Sequence, residues 1–254
     1  MNLLLPELRD LKYKSLSQRV RVLSELWMQS EMYCPACGCE HLSRMPNNTK
    51  LADFYCDGCE EIYELKSMKG STGKKILDGA YSSALERITS SENPNLFVLN
   101  YLDYHVINLT LIPKYFFTPD MLQKRRPLSP NARRSGYIGS FILYDKIPAQ
   151  GKIPVIDAGS ELDKERVIAN YKRLINLRIK NLDARGWLMD ILNCVNKIDS
   201  KTFAINDIYN FIAELENKHP DNHNIRAKIR QQLQFLRNKN LIEFLGNGIY
   251  RKIY

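Results

Sequence analysis

Fourteen residues of the sequence, DFYCDGCEEIYELK from Asp53 to Lys66, carry two kinds of chemistry. Asp53, Glu64 and Lys66 form an Asp…Glu-x-Lys arrangement suited to metal-dependent phosphodiester cleavage. Two carboxylates hold Mg2+ through oxygen. The ion polarises a phosphate and lowers the pKa of a bound water, and a lysine orients that water or stabilises developing charge. Glu64 and Lys66 are two residues apart, so on a strand they share a face. Charges alternating along a solvated strand give the same spacing, so these three residues alone do not make an enzyme.

Between the acids lie Cys56 and Cys59, a CxxC pair that suits a soft metal. Cys34 and Cys37 form a second pair, and eighteen residues separate the two. That interval belongs to the zinc pattern of paired cysteines. Thiolates on a tight turn point at one tetrahedral ion, and two such turns complete its shell. Gly38 and Gly58 suit the turns because glycine accepts positive φ. Four reduced buried cysteines are the plain alternative, and Cys39 or His41 lies near enough to replace a ligand. A four-thiolate shell has no open position, so the zinc is read as structural.

Bringing the acids together requires a hairpin. If Cys56 opposes Cys59 across its turn, Leu51 faces Glu64, and Asp53 shares the face of Leu51. A slip of one residue would send Asp53 to the other face. Residues 15–33 have helical spacing, with Val20, Leu23, Leu26 and Trp27 on one side. Residues 78–89 read as a helix with Asp78 as its N-cap. Residues 96–101 and 105–112 are dense in β-branched and aromatic side chains and read as strands. The expected fold class is α/β, with a mixed sheet. A charged helical connector over 161–180 closes a first domain taken as 1–182.

Residues 183–254 have another pattern: a helix over 186–198, a short strand over 202–205, and a helix over 206–216 capped by Asn206. A third helix covers 224–238, and a hairpin turns at Gly246-Asn247-Gly248. This is the order of a winged helix, whose third helix enters the major groove. Ile225, Ile229, Leu233 and Leu236 share its apolar face, with Arg226, Arg230 and Arg237 beside it. Gln231 and Gln234 are candidates to read adenine, which an amide contacts through two hydrogen bonds. A second basic segment, KRRPLSPNARRSGYIG, offers Lys124, Arg125, Arg126, Arg133 and Arg134 to phosphates and Tyr137 to bases. The alternatives are a protein-interaction module with a solvated basic face, and a surface loop with Tyr137 in the core.

The chain of 254 residues carries a net charge of +9, which favours an anionic partner, nucleic acid before a membrane surface. At 44% hydrophobic it can bury a core. No apolar run approaches the roughly 18 residues of a membrane span. The opening MNLLLPELRDLKYK does not read as a secretory signal, and six cysteines fit an intracellular, reducing compartment better as ligands or free thiols than as disulfides.

Taken in order, CPACG, ADFYCDGCEEIYELKSMKG, LDGAY, ENPN, RRPLSPNARRSGYIG, RGWLMDILNC and IRQQLQFLRNKNLIEFLGNGIYRK resemble the DpnI-type methyl-directed restriction endonucleases, over nearly the whole chain. The resemblance implies a PD-(D/E)xK nuclease domain with an embedded four-cysteine zinc site and a C-terminal winged helix, in the cytoplasm of a prokaryotic cell. It implies Mg2+-dependent cleavage of double-stranded DNA at GATC when the adenine is N6-methylated, by a chain expected to be monomeric in solution. By motif, Asp53, Glu64 and Lys66 take the nuclease roles, with Asp53 and Glu64 on magnesium, and Cys34, Cys37, Cys56 and Cys59 take the zinc. Ala52 stands where the motif's name has proline. The competing reading is a non-enzymatic, zinc-containing winged-helix regulator, which has no use for Glu64 and Lys66.

Overall fold

The computed structural model describes residues 1–7, 15–46, 49, 52–90, 93–175, 177–179 and 181–254. Helix α1 (Leu16–Glu31) is followed by strands β1 (Ser43–Arg44), β2 (Phe54–Tyr55), β3 (Ile62–Lys69) and β4 (Lys75–Ala80). Helix α2 (Tyr81–Thr89) leads to β5 (Asn95–Leu102), β6 (His105–Ile112), β7 (Leu122–Lys124), β8 (Gly139–Leu143), β9 (Ile153–Asp157) and β10 (Ser160–Glu161). Helix α3 (Lys164–Ile175) precedes the C-terminal unit. That unit contains α4 (Leu182–Lys197), β11 (Thr202–Ala204), α5 (Ile205–Tyr209), α6 (Ile212–Lys218), α7 (Ile225–Asn238), β12 (Ile242–Gly246) and β13 (Ile249–Lys252).

Strands β1-β2-β3-β5-β6-β9-β10 form a seven-stranded sheet. Only the β3–β5 pair among these ladders is parallel, with Glu64 beside Leu96 and Lys66 beside Val98. The first six residues of β5, NLFVLN, are all buried, as a strand covered on both faces must be. Helix α1 packs on β3 and α3 on β9. A small antiparallel sheet, β4-β8-β7, sits against α2. The parallel crossover from β3 to β5 therefore runs through β4 and α2, and that path decides what stands over Glu64 and Lys66.

Three expectations about local structure change. Asp78 is a strand residue of β4, and α2 starts after Ala80 with no side-chain cap. The stretch KILDGA alternates exposed and buried positions, and the strand period turns Asp78 inward. The helix expected at 206–216 is two short helices, α5 and α6, broken at Asn210. Asn206 lies inside α5, and Asp207 instead accepts the Ala204 N–H at 2.7 Å. Finally, Phe54 pairs with Tyr63 and Tyr55 with Ile62, so the hairpin register is displaced by two from the expected one. A displacement of two preserves the face of every side chain. Leu51, the residue expected to face Glu64, lies outside the described residues.

The C-terminal unit folds on a core of Trp187, Leu188, Ile191, Leu192, Ile229, Leu233 and Leu236. Strand β11 joins the β12–β13 hairpin in a three-stranded sheet, ordered β11-β13-β12. Helix α4 begins earlier than the sequence pattern indicates, because Asn181 accepts the Ala184 N–H at 2.9 Å and caps it.

Candidate functional site

Asp53 precedes β2, and its backbone is held on both sides: its N–H donates to Tyr63 O at 2.9 Å and its carbonyl accepts from Met45 N at 2.9 Å. Its carboxylate accepts the Leu65 N–H through Oδ2 at 2.8 Å. The acid thus lies against β3 between Glu64 and Lys66. Burial raises its pKa first, the charges of Glu64 and Glu25 raise it further, and the Leu65 N–H and Lys66 oppose them. Glu25 is buried on α1 and paired with Arg21 at 2.6 Å and with Arg44. Its part in this field is not apparent from the helix pattern, where it reads as one more surface acid.

Glu64 and Lys66 share a face of β3 and touch, Nζ to Oε1 at 2.7 Å. Lys66 Nζ is also 2.7 Å from Asp78 Oδ1. Arg87 of α2 reaches Glu64 Oε2 at 3.1 Å and Asp78 Oδ2 at 3.4 Å. Two carboxylates and two cations therefore alternate in a closed ring. Burial works to strip Lys66 of its proton, and the carboxylates of Glu64 and Asp78 more than offset this, so its pKa is raised. For Asp78, burial is outweighed by Lys66 and Arg87, so its pKa is lowered. Sequence reasoning misses Asp78 and Arg87 as site residues. The residue types of KILDGA give no signal for Asp78, since Leu77 is exposed and Asp78 buried, the reverse of their polarities.

The four cysteines gather as the pairs require. Cys34, Cys37, Cys56 and Cys59 place their sulfurs within 4.8 Å of one another. Cys34 Sγ is 3.6 Å from Cys59 Sγ, and Cys37 Sγ is 3.5 Å from Cys56 Sγ. Tetrahedral Zn–S bonds of about 2.3 Å require S···S distances of roughly 3.8 Å, so the cluster fits that ion. Against the cost of burial, the Cys39 N–H and the neighbouring thiols bring Cys37 down to about 7, which favours the thiolate a metal needs. Tyr63 OH lies 3.1 Å from Cys34 Sγ, so the residue next to Glu64 also braces the cluster. Cys39 is adjacent but outside the four. Gly38 has φ +88, as the turn requires, whereas Gly58 is needed for space: a Cβ there would lie 2.5 Å from Cys39 Sγ. The second turn takes its positive φ at Glu60 instead.

The same hairpin carries both sets of residues of the opening segment. Its turn closes the cysteine cluster, which ties the end of α1 to the β2–β3 connection. The other end of the hairpin presents Asp53 and Glu64.

On α7, Arg226, Arg230, Gln231, Gln234 and Arg237 are all exposed, while Ile225, Ile229, Leu233 and Leu236 are buried. Tyr209 of α5 supports two of these arginines: Arg226 lies 4.9 Å over its ring, and Arg230 donates to its hydroxyl at 3.1 Å. The basic segment extends the β7–β8 hairpin. Leu128 N–H donates to Tyr137 O at 3.0 Å, and Arg125 N–H to Gly139 O at 2.9 Å. Arg126, Arg133 and Arg134 are exposed. Tyr137 is half-buried under Arg134, whose guanidinium is 4.0 Å from the ring centre, so it is not a core tyrosine.

A family model described as DpnI, Dam-replacing family, matches residues 1–180. The chain belongs to the Dam-replacing family. A second model, the Dam-replacing HTH domain, matches residues 183–252. The Dam-replacing match therefore spans the sheet, the cysteine cluster and the acidic site, and the helix-turn-helix match spans α4 to β13. Among the described residues no helix is long and apolar enough to cross a membrane.

Proposed function

We propose that the protein is a Mg2+-dependent endonuclease of the PD-(D/E)xK type that cuts double-stranded DNA at GATC carrying N6-methyladenine. The observation that carries this reading is the meeting of Asp53, Glu64 and Lys66 across the β2–β3 hairpin, inside a chain of the Dam-replacing family. A purely regulatory protein would have no use for two acids forced together in a partly buried place. Nuclease domain and winged helix are taken as 1–182 and 183–254, acting as a monomer.

Asp53 and Glu64 would hold the magnesium. Their charges oppose one another, which is a donor set that a divalent cation satisfies. When bound, Mg2+ supplies a Lewis acid that polarises the phosphate and acidifies a water. Lys66 stays protonated at neutral pH, so it serves as a cation and hydrogen-bond donor beside the phosphate and not as a base. Cys34, Cys37, Cys56 and Cys59 would hold a structural zinc that keeps the hairpin in register. Arg226, Arg230 and Arg237, with Arg125, Arg126, Arg133 and Arg134, would contact phosphates. Gln231 and Gln234 would read base edges, and Tyr137 would stack on a base.

Plasmid from methylating and non-methylating hosts, incubated with the protein and Mg2+, tests the reading. Fragmentation of the methylated plasmid alone is expected. Retained DNA binding with both plasmids intact would favour the regulator.

A further inference from the structure

The ring around Lys66 leaves Glu64 with no oxygen to spare: Oε1 is held by Lys66 and Oε2 by Arg87. A divalent cation must therefore compete with Lys66 and Arg87 for this carboxylate. Asp78 is bound in the same way, one oxygen to each cation, and its side chain is only 2% exposed. It comes from a different sheet, on β4, and is fixed there by its inward strand position.

We propose that Asp78 is a positioning residue: it keeps Lys66 and Arg87 in place when Glu64 leaves them for a divalent cation. The inference rests on the assignment of Asp53 and Glu64 as magnesium ligands. When Glu64 turns away, both cations would follow it or drift to solvent if they had no second partner. Asp78 is that partner, already at 2.7 Å from Lys66. Arg87 has the opposite effect on the metal. It competes for Glu64 and neutralises it, so the metal site is weaker for its presence. The charge-neutral ring is the resting arrangement, and Asp78 holds the part of it that cleavage still needs.

The two cations give the idea a signature that a structural role lacks. Asp78→Asn leaves Lys66 and Arg87 with Glu64 as their one carboxylate in the ring, so Mg2+ must compete with both. Mg2+ binding by calorimetry, without DNA, should weaken on the order of tenfold, because like and unlike charges a few ångströms apart act strongly in a partly buried site. Arg87→Gln should tighten Mg2+ binding by roughly threefold for the same reason. At saturating Mg2+ the single-turnover cleavage rate of Asp78→Asn should still be down on the order of tenfold or more, because Lys66 is no longer held. Melting temperatures check that each variant folds, and Arg87→Gln carries the binding arm if Asp78→Asn does not.

Weaker Mg2+ binding with an unchanged saturated rate would overturn the positioning role, since Asp78 would then act only as a nearby charge. Arg87→Gln weakening Mg2+ binding would overturn the competition. The predicted order of Mg2+ affinities among the wild type and the two variants, with no DNA cut by the wild type, would overturn the nuclease reading and leave the arrangement of the ring standing.

Discussion

Asparagine at position 53 removes a charge while keeping the shape and the hydrogen bond to Leu65 N–H. A hydrogen bond to a charged acceptor contributes about 1.5–3 kcal/mol and a neutral one about 0.5–1.5 kcal/mol, so this contact loses roughly 1 kcal/mol. Against that stands the cost of burying the carboxylate, several kcal/mol for a fully buried ion, and the repulsion from Glu64 and Glu25, partly offset by Lys66. Asp53 is only partly buried, so a fraction applies, about 2 kcal/mol. The balance favours Asp53→Asn by about 1 kcal/mol, or roughly 2–4 °C in Tm for a chain of this size. Scanning calorimetry in Mg2+-free buffer reads this gain. Adding Mg2+ should raise the wild-type Tm by mass action and leave the variant unmoved, so the gap narrows or reverses. The pH dependence has a definite sign. A folded pKa raised above 3.8 favours the protonated fold, so wild-type stability from this group is present at low pH and lost as pH rises through the raised value. The advantage of the variant should therefore vanish in acid. A variant that melts lower without Mg2+, or that still cuts DNA, would refute the reasoning.

Further outcomes follow from the other parts of the molecule. Cys56→Ser should lose the zinc, measured as about one ion per wild-type chain, and should unfold well below the wild type, because structural zinc contributes roughly 10–16 kcal/mol, against a typical net stability of about 5–15 kcal/mol. Arg226→Ala and Arg230→Ala should each weaken DNA binding and lower the slope of log affinity against log salt by about 0.9, measured by anisotropy titration, if each arginine neutralises one phosphate. Paired replacement of Gln231 and Gln234 by alanine should reduce the preference for methylated over unmethylated GATC more than it reduces nonspecific affinity. One methyl in an apolar pocket discriminates by only about 1–3 kcal/mol, so strong selectivity needs more than one reading of the site. Equal selectivity in this variant would place methyl reading wholly in the nuclease domain.

What the sequence reveals here depends on how local the signal is. The CxxC spacing announces a cluster because the chain between paired ligands is too short to do much else. Strands β5 and β6 and helix α7 follow from unbroken apolar and helical periodicities. The expected hairpin register is off by two because the turn after Cys56 takes its positive φ at Glu60 and not at Gly58. That error spares the site, since an even displacement keeps Asp53 on the face of Glu64. Asp78 and Arg87 are illegible for a different reason. They meet Glu64 and Lys66 only after the chain crosses from β3 through β4 and α2, and no short spacing records such a meeting. A short strand running directly into a helix, with an acid three residues before it, reads as a cap until the strand is paired.

Single-turnover cleavage of a short duplex bearing one fully methylated GATC, with Mg2+, by wild-type protein and by Lys66→Ala, tests the central assignment most directly. The account requires double-strand scission by the wild type and a loss of at least about a thousandfold in the variant, with duplex affinity retained. A wild type that binds this duplex and leaves it whole, or a Lys66→Ala protein that cuts it as fast, would contradict it.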